Sequence, residues 1–152
     1  MLNQKNSCIR RSVKRCYFLF IPLVFLPLLI ALSIYAFLRP TPLQLIGGLE
    51  FLHYPLDNHY TNDAKWFLYN VPDGLWAFSF ESFLFLSFIN DQLWLRATML
   101  MFGLIVMFLL ECLQKNILPG TFDTADLFAI LLGVTSSIIL SAAINFKRER
   151  RL

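Results

Sequence analysis

The sequence predicts an all-helical, polytopic membrane protein: a four-transmembrane-helix bundle with both termini in the cytoplasm. Three observations predict it. The 152 residues are 57% hydrophobic and only 15% charged, whereas a soluble domain averages about 25% charged residues. The apolar residues are gathered into long runs, four of which approach the ~20 residues needed to cross a bilayer. Basic residues bracket the first and last runs. A soluble core would have to bury all four runs in a short chain, so that reading is set aside.

Residues 1–16 form a basic N-terminal tail carrying Lys5, Arg10, Arg11, Lys14 and Arg15. The first span, about 17–38, is uncharged and contains Pro22 and Pro27, which bend a helix because proline lacks a backbone donor. A signal peptide is the competing reading. The run is longer than the 7–15 residues of a typical signal core, and no small-residue cleavage site follows it. An outer segment, 39–72, opens with Arg39-Pro40-Thr41-Pro42 and holds both histidines, His53 and His59. Their spacing of six does not place them on one helical face. With only Asp57 between them they read as solvated or interfacial groups, and no metal is assigned to them.

The second span, about 73–90, is the shortest and carries Glu81. Pro72 suits the first turn of its helix, and Asp73 suits the positive end of the helix dipole. Trp66, Tyr69 and Trp76 fit an aromatic belt at the outer interface. The third span, about 93–111, follows an Asn90-Asp91-Gln92 turn and has Arg96 near its start. The fourth, about 125–145, carries Gly133, Ser136, Ser137, Ser141, Ala142 and Ala143, small residues that permit close helix packing. Residues 146–152 are a second basic tail. The membrane domain is therefore 17–145.

Orientation follows from charge. Of the 13 basic residues, all but Arg39, Lys65 and Lys115 fall on the side holding the termini. The positive-inside bias makes that side cytoplasmic. An odd number of spans would separate the two basic tails, so the charges also support an even count. Beside spans, the tails are topology signals and anionic-lipid contacts, and nucleic acid is excluded as a partner. Cys8, Cys16 and Cys112 have no zinc-site spacing, and the first two cannot reach the third across a bilayer.

A carboxylate inside a bilayer is costly and usually has a partner. Arg96, on the other side of the cytoplasmic turn, is the expected partner of Glu81 in an intramembrane ion pair. The alternative leaves Arg96 snorkelling to the headgroups and Glu81 protonated.

The stretch from Glu111 to Gly133 is polar although apolar runs flank it. Glu111 and Gln114 share a face at the end of span three, and Asp123 and Asp126 share one at the start of span four. Leu118-Pro119-Gly120 turns the chain between the two pairs. Asp123 suits a helix cap, and Asp126 the first turn, where negative charge is favourable. Glu111 stands at a helix C-terminus, where negative charge is disfavoured, so a site or a specific hydrogen bond is expected there. With Asn70 and Asp73 from the entry to span two, these residues make a candidate outer-face polar site.

These residues resemble the C-terminal signature of VanZ-like membrane proteins over roughly residues 68–145. The likeness lies in Glu111-x-x-Gln114, Leu118-Pro119-Gly120, Asp123-x-x-Asp126-Leu127 and Gly133, with Asn70 and Pro72 similar to the family's Asn/Pro entry at shorter spacing. Thr121 and Ile130 stand where the family has arginine and asparagine. The resemblance implies a multi-pass protein of the bacterial plasma (inner) membrane, linked to cell-wall or glycopeptide-antibiotic tolerance. The expected partners are the lipid bilayer and a lipid, cell-wall precursor or membrane protein. No nucleophile motif is present, so a non-enzymatic role is expected and no cofactor is predicted. Two other classes compete. One is a membrane-embedded enzyme or a divalent-cation site on the outer carboxylates, since hard cations bind oxygen. The other is a small transporter or channel subunit using Glu81.

Overall fold

A computed structural model of the chain describes residues 18–38, 62–114, 117 and 123–149. The basic tail at 1–16 with Cys8 and Cys16, the 39–61 stretch with both histidines, Lys115, the Leu118-Pro119-Gly120 turn and Thr121 lie outside the described residues. Every regular element among those described is helical.

Helix α1, a candidate span over Phe18–Ala36, is wound unevenly. Ile21–Phe25 and Ile34–Leu38 are π-helical and flank α-helical Leu26–Ser33. The Leu26 N–H reaches back five residues to the Ile21 carbonyl. This widened turn immediately precedes Pro27, whose ring would crowd the carbonyl four residues before it.

Helix α2, Asn62–Ser87, begins well before the expected start at 73 and carries Pro72 in its interior. Proline therefore does not mark the helix entry. Membrane helices tolerate internal proline where other groups satisfy the freed backbone. Independently of the proline, the Asn70 Nδ2 donates to the Trp66 carbonyl at 2.8 Å. A turn at Phe88–Asn90 leads into α3, Leu93–Gln114, and α4 is Thr124–Glu149.

Three stretches are long and apolar enough to cross a membrane: Phe18–Ala36, Leu93–Gln114 and Thr124–Ile144. The chain is a multi-pass helical membrane protein, and the bilayer is its surroundings. Helix α2 does not meet that apolar standard, and its packing explains why. It lies against α1, α3 and α4. Its Asn70, Ser79, Glu81 and Ser82 are all buried, whereas α1, α3 and α4 expose Leu29, Phe102, Ile105, Leu132 and Ile139. The polar side chains of α2 are drawn inside, and many large apolar ones of the other helices face outward.

Helices α2 and α4 run parallel in constant register. Ser82 Oγ and Ser137 Oγ, 55 positions apart, lie 3.0 Å from each other in the buried interface. Gly74 meets Ala129, and Gly133 meets Gly74 and Phe78. A Cβ at Gly74 would sit 2.8 Å from the Ala129 carbonyl oxygen, and one at Gly133 would overlap the Gly74 carbonyl. Both glycines let two backbones approach, which is how membrane helices gain contact in the absence of a hydrophobic drive. Ala77, Ile130 and Val134 fill the seam beside them, and Leu104, Met107 and Phe108 of α3 close it. On the other side of α2, Val24 packs with Phe85 and Leu86.

The ion pair expected between Glu81 and Arg96 is not formed. Both Glu81 carboxyl oxygens are buried without a hydrogen-bond partner. Arg96 instead lies over the Phe85 ring, 5.8 Å from its centroid. Phe85 is one helical turn nearer the α2–α3 turn than Glu81, so the guanidinium stops one turn short.

Gly133→Ala should force α2 and α4 apart. The expected cost is about 1–3 kcal/mol, typical of overpacking a tight seam. A lower midpoint for thermal loss of helicity in detergent micelles measures it, with the exposed Leu132→Ala as the control that leaves the midpoint nearly unchanged.

Candidate functional site

All four helices bring polar side chains to one end of the molecule. Asp73 arrives one turn beyond Asn70 on α2, Glu111 at the last turn of α3, and Asp123 and Asp126 at the first turn of α4. Their positions follow from the register. The offset that pairs Ser82 with Ser137 sets Asp126 beside the Asn70–Asp73 turn.

Each carboxylate has a distinct setting. Asp123 is the helix cap of α4: its Oδ1 accepts from the Ala125 N–H at 3.0 Å and from the Thr124 hydroxyl at 3.4 Å. This satisfies an N-terminal donor that no helical carbonyl can reach. Glu111 is 4% exposed and lies near Asp123, so the end of α3 meets the start of α4. Asp126, 8% exposed, lies within hydrogen-bonding reach of Asp73. Glu111 and Asp123 lie near Asp126 as well.

The fourth helix contributes a residue that sequence reasoning missed. The Tyr35 hydroxyl donates to Asp73 Oδ1 at 2.6 Å, joining α1 to α2. Only its polar tip near the end of an apolar run could have marked Tyr35, because its partner is 38 positions away.

Some acceptor capacity remains. Glu111 Oε1, Asp126 Oδ1 and Asn70 Oδ1 are buried without a hydrogen-bond partner. Gln114 is half-buried at the end of α3. Among the described residues no three His, Cys, Asp or Glu side chains are set close enough to hold a metal ion. The structure carries Asp73, Glu111, Asp123 and Asp126 to the same end of the molecule, and leaves Glu81 and Arg96 apart from them and from each other.

Comparison with protein-family models, with curated proteins and with solved structures finds no match for this chain.

Asp123→Ala should cost about 1 kcal/mol through loss of the α4 cap, while Asp123→Ser should retain most of it. Tyr35→Phe should cost about 1.5–3 kcal/mol, the range for a hydrogen bond to a charged group. Thermal melts of the purified variants in one detergent check both values.

Proposed function

We propose that this chain is a VanZ-like protein of the bacterial plasma membrane that crosses the bilayer four times, with both termini in the cytoplasm. In this reading α2 is also a span, shielded from lipid by the other three helices. Its 26 residues correspond to about 39 Å at ~1.5 Å per residue, ample for a crossing. The basic residues of the two tails support the orientation.

The protein acts without catalysis, as an outer-face receptor for a lipid or cell-wall precursor. The observation that carries this is the convergence of Glu111 and Asp126, residues of the VanZ-like pattern, with Asp73 at one end of the molecule. Buried acceptor oxygens on Glu111 and Asp126 suit a ligand that presents donors, a hydroxyl or an ammonium group. A nucleophile paired with a general base, which acyl transfer would need, has no counterpart among the residues of this cluster.

The test compares a deletion strain carrying the wild-type chain with the same strain carrying Glu111→Gln or Asp126→Asn. The expected result is normal membrane accumulation of both variants together with loss of protection against a cell-wall-directed glycopeptide. Loss of accumulation would mean that these acids serve the fold. Full protection by both variants would remove the receptor reading.

A further inference from the structure

Glu81 is the most enclosed charged-type residue described in the chain. It is 0% exposed, and neither carboxyl oxygen has a hydrogen-bond partner. Its place is shaped by the facing helix. A Cβ added at Gly103 of α3 would lie 2.5 Å from Glu81 Oε1 and 2.6 Å from Leu84 Cδ1. Gly103 therefore leaves a notch that the Glu81 carboxyl fills.

The surrounding helices provide little that could balance a charge. On α1, Tyr35 is committed to Asp73 at the far end, and the rest of Phe18–Ala36 has no ionisable side chain. On α4, nothing ionisable stands between Asp126 and Lys147. On α3, Arg96 is the one charged residue before Glu111, and it rests on Phe85 with its Nε buried and unpartnered. On α2 itself the nearest acid is Asp73, eight positions away. A carboxylate without donors in a dry interior is strongly disfavoured, whereas a neutral carboxylic acid is tolerated.

We propose that Glu81 is an intramembrane proton-binding site, a carboxyl held as the neutral acid in the notch that Gly103 leaves for it. The proton is the ligand, and the described geometry is the occupied state. Release requires a replacement donor. Arg96, one turn away with an unused Nε–H, is the group placed to supply it by leaving the Phe85 ring. The inference rests on the membrane setting and does not depend on the outer-face receptor reading.

Infrared difference spectroscopy of the full chain in phospholipid bilayers tests it. At neutral pH, wild type minus Glu81→Gln should contain the carbonyl stretch of a protonated carboxylic acid, and Arg96→Gln should leave that band in place. A difference made of carboxylate stretches would overturn the proposal, as would loss of the acid band in Arg96→Gln. Glutamine keeps the shape and neutrality of the acid, so Glu81→Gln is expected to accumulate. Should it not, Glu81→Asp reads the same state by shifting the band instead of deleting it.

Discussion

A bilayer interior has no water to satisfy polar groups, and that constraint decides where each polar side chain of this protein lies. Helix α2 concentrates them: Asn70, Ser79, Glu81 and Ser82 are all buried on it. It can carry them because α1, α3 and α4 lie around it and present leucine, isoleucine and phenylalanine outward. The least apolar helix is thus the one most protected from lipid. The arrangement inverts that of a soluble bundle, and it accounts for the uneven composition of the four apolar runs.

The α2–α4 pair is the frame on which the rest is hung. Gly74 and Gly133 let the backbones touch, and Ser82 meets Ser137 in the same register further along. Because that register is fixed, the Asp73–Asp126 contact at one end follows from the glycine contact nearby. The other two helices also reach this end. Tyr35 of α1 donates to Asp73, and Glu111 of α3 lies near Asp123 at the start of α4. The acidic cluster is where the four helices are joined, so its residues serve assembly and present acceptor oxygens together.

Much of this could be read from residue order, and the rest fails for physical reasons. Three of the four helices were legible because an apolar run long enough to span has few other uses. The cap at Asp123 was legible because its partners are local in sequence. The start of α2 was misplaced because Pro72 signals a helix entry in water, while here it lies inside the helix Asn62–Ser87. Tyr35 was missed because a contact across 38 residues leaves no local trace. The Glu81–Arg96 pair was expected because opposite charges near one turn suggest each other, but residue counting does not reveal that Phe85 offers the guanidinium a nearer seat.

The two carboxyl sites answer the same constraint in opposite ways. At the end of the molecule that holds Asp73 and Asp123, carboxylates are met by donors: the Tyr35 hydroxyl, the Thr124 hydroxyl and the Ala125 N–H that opens α4. These donors come from α1 and from the start of α4. Around Glu81 no donor is gathered at all, and space is provided instead by removing a side chain at Gly103. A glycine cannot compensate a charge, but it can accommodate the shape of an acid. A cavity matched in shape and unmatched in charge selects the protonated form, so Glu81 is compatible with the interior only as long as it keeps its proton. The same helix, α2, therefore carries both solutions eight residues apart: a donor-rich carboxyl where water is near and a donor-free one where it is not.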